Sequence, residues 1–388
     1  MNQKWNYVPF EDAVEIWDIK RKPINNAERA SRINGKSNNE LYPYYGATGQ
    51  VGFIDDYLTD GEYVLLGEDG APFLNPIAQK AYIVTGKTWV NNHAHVLKSK
   101  YNNKFLCYYL NSINYKDYVS GTTRLKLTQA QMKRILIPVP SIEEQERIVA
   151  KIEELFSELD NAVETLNATK VQLEVYKQTV LYEAFSNLSD TVDMQEIATM
   201  IDPQPSHRTP PEVVGGIPYI GIGDIDYDNN IIKFDSARKV SASVLAEHLS
   251  RYTISKGDFV MGKIGTIGKP YRIPIPQEYA LSANVILIQP NHELILPDFL
   301  YWQFSSHHVT SQLLKGANAT SQPAFGIKKS RLLKIKMCDF EQQRAINLDI
   351  ESKISVYESI AHTVEKSLEE ASAMRQSILK QAFEGRLL

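Results

Sequence analysis

The chain has 388 residues, 43% of them hydrophobic, and a formal net charge of −4. That length exceeds one comfortable core, so two or three units are expected, and the apolar content excludes global disorder. Two cysteines, Cys107 and Cys338, exclude a disulfide framework and a cysteine-rich zinc site. The first residues lack an apolar signal core and no run of 18 apolar residues occurs, so a chain outside the membrane, in a reducing cytoplasm, is expected.

In chain order, Tyr63–Leu66 and Ala81–Val84 read as short strands bounded by turn residues, and Asn103–Ser112 as a short helix. Ser141–Asn187 follows, with 10 acidic and 4 basic residues and no Gly or Pro. Its apolar or small residues fall at Ile148, Ile152, Leu155, Leu159, Ala162, Leu166, Thr169, Leu173, Tyr176 and Val180, in alternating steps of four and three. That spacing predicts one long helix with a heptad seam. Phe259–Met261 and Val285–Ile288 read as strands and Pro297–Ser306 as a helix. Asp339–Arg386, with 9 acidic and 6 basic residues, predicts a second long helix. Its seam runs Ile346, Ile350, Lys353, Tyr357, Ile360, Val364, Ser367, Ala371, Met374 and Ile378. About 40 helical residues make a rod of roughly 60 Å, and one apolar stripe on each rod predicts that the two pack together. Outside these acidic segments stand 32 basic and 27 acidic residues, so the globular regions are mildly basic, which allows a positive DNA-facing surface, although Glu-rich helices also serve solubility.

An internal repeat sets the expected architecture. Lys177–Phe185 (KQTVLYEAF) matches Arg375–Phe383 (RQSILKQAF) at an offset of 198, and Glu144–Arg147 matches Glu341–Arg344 at 197. Phe105–Ser112 resembles Phe299–Ser306, and Gly61–Gly67 resembles Gly257–Gly262. The order is the same each time: a mixed region, then a long helix, twice. The fold class expected is α+β. Antiparallel pairing of the repeated helices would relate the globular regions by a pseudo-two-fold axis, which suits duplex DNA.

Several residues carry a family resemblance. Ile137-Pro138-Val139-Pro140 followed by Ser141–Val149, and Gly121–Leu127 just before, resemble the entry to a helical region in the specificity subunits of Type I restriction-modification enzymes. Gly316–Pro323, and Pro205–Pro210 leading to Ile217–Ile220, are similar to further segments of that family. Lys336-Met337-Cys338-Asp339 departs from it, standing where the first half has its Pro-rich entry. The resemblance spans the chain. It implies a non-catalytic DNA-reading adaptor without cofactors. Residues 1–140 and 188–338 would be two mixed α/β target-recognition domains, each reading half of a split site in double-stranded DNA. Helices 141–187 and 339–388 would form an antiparallel coiled coil that sets the spacer. Two methyltransferase subunits would dock on the helices, joined by restriction and translocase subunits.

Candidate contacts sit on the loops of the globular regions. In the first, Thr48, Gln50, Lys87, Asn91, Asn92, His93, Arg124 and Lys126 are expected at DNA. Arg124 leads as a groove or phosphate contact because it lies in the family's loop before the helix. Asn91, Asn92 and His93 offer adenine-type or phosphate hydrogen bonds. In the second region, His207, Arg208, Lys263, Thr266, Lys269, Asn284, Asn318, Thr320 and Gln322 are the counterparts. Lys263, Lys269 and Arg208 suit phosphates, and Asn284, Asn318 and Gln322 suit bases.

Sharper motifs fail. Ala81–Thr88 fits a loose phosphate-loop pattern, yet strand-like residues stand where the flexible turn belongs and Trp89–Asn92 does not open a helix. His93-Ala94-His95 lacks a third metal ligand in sequence, and His307-His308 reads as a solvated helix end. The alternatives to the adaptor are a coiled-coil scaffold without DNA affinity and a nucleotide-dependent enzyme using Lys87.

Overall fold

A computed structural model describes residues 5–227, 229–263, 267–316 and 325–388. The chain divides into two units, Met1–Ala168 with Val364–Leu388, and Thr169–Thr363. The mixed α/β character expected from the sequence is present in each. No helix among the described residues is long and apolar enough to cross a membrane.

The first unit is built on a four-stranded sheet ordered Val14–Ile16, Ala94–Ser99, Tyr63–Gly67, Ala81–Val84. Tyr63–Gly67 is buried along its whole length, because its alternate side chains serve two cores. Val64 and Leu66 face the core under the helix Asn103–Ser112, while Tyr63 and Leu65 join Val84, Val90 and Val96. A second sheet, ordered Gly49–Ile54, Tyr42–Gly46, Lys87–Val90, Thr59–Asp60, contains the parallel pairing of Tyr44 and Tyr45 with Trp89 and Val90.

The second unit repeats this plan. Its sheet runs Ala198–Ile201, Val285–Pro290, Phe259–Gly262, Pro270–Arg272. Phe259 and Met261 face the core under the helix Pro297–Ser305, and Val260 faces the other side. Here the parallel pair is Tyr219 and Ile220 with Ala280 and Leu281.

The long helices are Ile142–Ser186 and Phe340–Phe383. In the first unit Ile148, Val149 and Ile152 share a core with Ile378, Leu379, Ala382 and Phe383, and Arg375 pairs with Asp160. In the second unit Leu181 and Phe185 share a core with Ile350 and Ile354, and Tyr357 donates to Glu174. Within each unit, early residues of one helix meet late residues of the other, so they run antiparallel there.

Three sequence expectations need correction. Ala162, Tyr176, Ile360 and Met374 are exposed rather than buried in the seam, and Ile354 is buried beside Lys353. Their alternating seam partners Leu173, Val180, Val364, Ala371 and Ile378 stay buried, so one of the two heptad positions faces the core more closely than the other. The helix entries repeat at 198, not 197. Ser141 and Asp339 cap through Glu144 N (3.2 Å) and Gln342 N (2.8 Å), and buried Gln145 and Gln343 donate to the Pro140 and Cys338 carbonyls at 3.1 and 2.9 Å. Asp339 thus does the capping that the Pro-rich entry hid. Finally, His308 is not solvated. It is half-buried and its Nε2 donates to the Lys334 carbonyl at 2.8 Å.

A buried network that sequence reading missed stands in the second unit. His248 lies 2.8 Å from the Tyr252 hydroxyl and 2.9 Å from Gln204 Oε1. Burial, helped by Arg251, pushes its pKa down from 6.5 to about 4. Between those values the unfolded chain takes up a proton that the folded chain refuses. Its contribution is therefore complete above pH 6.5 and falls away as pH drops toward 4, by about 2–3 kcal/mol. His248→Phe should flatten that part of the pH dependence, measured by urea unfolding at pH 7 and 4.5. An unchanged difference between the two pH values would contradict it.

Candidate nucleic-acid interface

In the first unit three loops lie side by side. Glu68 N donates to the His93 carbonyl at 2.8 Å, Leu127 N to the Glu68 carbonyl at 2.7 Å, and Gly70 N to the Leu125 carbonyl at 3.2 Å. These bonds bring His93, Arg124 and Lys126 together, three residues scattered over the sequence. Arg124 pairs with Asp69 at 2.5 Å yet its side chain is 60% exposed. His93 Nδ1 lies 3.5 Å from Asp69, and Lys126 pairs with Glu68 at 3.3 Å. Exposed, half-neutralised cations such as Arg124 and Lys126 can trade a carboxylate for a phosphate at small cost.

Behind them sits fully buried His95. Its Nε2 donates to the Leu127 carbonyl at 2.9 Å and its Nδ1 lies 2.7 Å from the Asp18 carboxylate. Burial raises the Asp18 pKa, but the His95 contact, the Val96 N–H and Arg21 outweigh it and hold the carboxyl below its usual range. Asp18, Glu68 and His95 have donor atoms within 4.8 Å of one another, and His93 is not among them. Arg21 already contacts both carboxylates and both His95 nitrogens are engaged, so the cluster fits a polar strut better than a cation site.

Next to this corner lies a depression of about 410 Å³ lined by Asn25, Asn26, Arg29, Tyr44, Asn91 and His93, among others. Asn91 is only 8% exposed, and its Oδ1 accepts from His93 N at 2.8 Å. Asn92 is exposed at the same wall. Arg29 stacks 4.9 Å from the Tyr44 ring centre and donates to the Val51 carbonyl at 3.1 Å. Among the described residues no carboxylate pairs with it, whereas Arg32 and Lys36 both pair with Asp55. Sequence reading passed over Arg29. The signal was the basic stretch Lys20–Lys36, capped at its helix by Asn25.

Other expected residues stand apart. Lys87 opens the strand that Asn91 follows, roughly 13 Å away at ~3.3 Å per residue, and its ammonium lies 4.7 Å from the Tyr57 ring. Thr48 and Gln50 are exposed, and the Gln50 amide donates to the Gly52 carbonyl at 3.2 Å. The phosphate-loop pattern is a turn between strands of two different sheets, with Gly86 at φ +73° and no helix after it.

In the second unit Lys263 is corrected. Its side chain is 15% exposed and pairs with Asp202 at 2.8 Å, so it is not a free phosphate cation. By sheet register, Lys263 stands where the first unit has Glu68. There the carboxylates need Arg21; here Lys263 serves Asp202 itself. Arg208 and His207 are exposed, His207 lying 3.9 Å from Asp202. Lys269 is exposed, 4.3 Å from the Tyr227 ring centre. Asn284 is half-buried, its Oδ1 accepting from Ile222 N at 3.1 Å and from the Ser282 hydroxyl. Thr266, Asn318, Thr320 and Gln322 lie outside the described residues.

Residues 2–174 match the family described as Type I restriction modification DNA specificity domain. Residues 2–174 carry that specificity domain. The resemblance read from its motifs is thereby borne out over those residues. Over 304 residues it is 28% identical to a type I restriction enzyme specificity subunit of Haemophilus influenzae, covering 76% of this chain and 74% of that protein. Over 326 residues it is 23% identical to the Type I restriction enzyme EcoBI specificity subunit of Escherichia coli, covering 75% and 67%. A chain from a structure on complex assembly and conformational transition of the type I R-M system shares the fold at a TM-score of 0.68, with 16% identity and 98% of both chains covered. The HsdS subunit from Thermoanaerobacter tengcongensis matches at 0.51, with 16% identity over 98% and 97%.

Proposed function

We propose that the chain is the non-catalytic specificity subunit of a Type I restriction-modification assembly. Residues 1–140 and 188–338 act as target-recognition domains, and each reads one half of a bipartite site in double-stranded DNA. The segments 141–187 and 339–388 act as an antiparallel coiled coil. They set the unread spacer and dock two methyltransferase subunits, which restriction and translocase subunits join in the cytoplasm. A pseudo-two-fold relation between the recognition domains matches the symmetry of the duplex. The observation that carries this reading is the repeated plan itself: the same sheet order, the same parallel pair and the same polar loop corner recur in both units, with different side chains at the corner. Equal frameworks with unequal loops suit two half-sites of different sequence.

Long-read sequencing of modified bases in the native host, with and without the gene, tests it. Loss of methylation at one split motif on deletion is expected. Methylation that persists unchanged, from a chain that also fails to co-purify with a methyltransferase, overturns the reading. Removing one turn from each long helix should change the spacer in that motif and leave both half-sites intact. An altered half-site sequence would contradict the spacer role.

A further inference from the structure

One detail of the two loop corners recurs across unlike sequences. Gly46 follows the parallel pair in the first unit and Gly221 follows it in the second. Asn91 N donates to the Tyr45 carbonyl at 3.1 Å, and Ser282 N donates to the Ile220 carbonyl at 2.8 Å. The two corners are thus equivalent in backbone. In each, an asparagine amide covers the glycine. A Cβ on Gly46 would stand 3.2 Å from Asn91 Nδ2, and a Cβ on Gly221 would stand 3.0 Å from Asn284 Nδ2 and 2.9 Å from its Oδ1. The asparagines are not at equivalent positions. Register aligns Asn284 with His93, and Ser282 with Asn91. Different residues have brought the same group to the same place.

Both amides are also fixed in the same sense. Asn91 Oδ1 accepts from His93 N–H, and Asn284 Oδ1 accepts from Ile222 N–H and the Ser282 hydroxyl. The carbonyl end is held by the protein, so the amide cannot turn over without losing those bonds. Among the described residues neither Nδ2 has an acceptor. The Asn91 residue is more than nine-tenths buried, yet it walls the depression shared with Arg29 and its Nδ2 is not sealed off, so its unspent N–H groups are open to a ligand that brings an acceptor.

We propose that Asn91 and Asn284 are the matched base readers of the two half-sites, each acting as a hydrogen-bond donor. The inference rests on the function proposed above. The partner is an acceptor on a base edge: N7 or O6 of a purine, or O4 of thymine. It revises the adenine-type contact expected from the sequence. A bidentate adenine contact needs a free Oδ1 to take the N6 proton, and here that oxygen is occupied. Gly46 and Gly221 supply the clearance in which the amides sit.

The test uses the full chain assembled with its methyltransferase subunits. Binding is measured to the methylated motif's duplex and to a panel in which each base pair of each half-site is replaced singly. Asn91→Ala and Asn91→Asp should each weaken the cognate duplex about tenfold or more. That penalty should vanish when one particular base pair of one half-site is already replaced. Asn284→Ala should show the same pattern in the other half-site. Gly46→Ala, which pushes on the amide without deleting it, should reproduce the Asn91 pattern and guards against a variant that fails to fold. A penalty of equal size on every duplex would mean a phosphate contact and overturn the proposal, as would no penalty. A wild-type assembly that binds all duplexes alike would instead overturn the specificity function itself.

Discussion

His95→Phe should destabilise the first unit by about 3–5 kcal/mol, the cost of removing one member of a buried charged network. Phe is larger than His, so no cavity opens and the loss is not a cavity effect. What is lost is the group facing the Asp18 carboxylate, itself almost buried, and the anchor of the Leu127 carbonyl. Urea unfolding at pH 7 measures the first effect. Hydrogen exchange measures the second: amides of 120–127, the loop that carries Arg124 and Lys126, should exchange faster. The Asp18 carboxyl is held below its unfolded pKa, so its contribution is present at neutral pH and is lost as pH falls through the folded value. The variant should therefore lose less on acidification than the wild type. A stability change under about 1 kcal/mol would mean that the strut is dispensable.

Ile350→Asp should be as damaging to the second unit, by about 4 kcal/mol or more. Ile350 is fully buried in the core that holds Leu181, Phe185, Phe299 and Leu300, where a carboxylate would be desolvated among apolar side chains. Leu348→Asp on the same helix is the control. Leu348 is 68% exposed and its replacement should stay within about 0.5 kcal/mol. Near-ultraviolet circular dichroism from Trp302, in that same core, separates local loosening from global loss. Equal effects from both substitutions would contradict the assigned packing of this helix.

The long helices, their antiparallel run within each unit, and the duplicated plan were legible because they follow from local rules repeated over many residues. Steps of four and three, the absence of Gly and Pro, and a repeated segment such as Lys177–Phe185 all survive without knowledge of the fold. Exposure along the seam was less legible. Tyr176 and Met374 obey the heptad count, yet they are exposed while their seam neighbours Leu173, Val180, Ala371 and Ile378 are buried, a difference set by what packs on each helix.

The polar corner shows where local rules end. Lys263 and Arg124 look alike in sequence, each a cation in a loop rich in Gly or Thr. Asp202 claims one in a largely buried pair, while the other keeps most of its surface in water. That difference depends on which carboxylate the sheet delivers, across separations of 61 and 55 residues. Arg29 was invisible because its value lies in the missing partner and in the Tyr44 face beneath it. By itself, the sequence pointed to a globular region followed by a long helix, twice, and to the family resemblance. Only the tertiary structure decided which cations are spent, which amides are turned, and that Asn91 and Asn284 meet equivalent glycines. Hydrogen bonds and ion pairs are made between residues distant in the chain, and their availability is a property of the folded corner rather than of any segment.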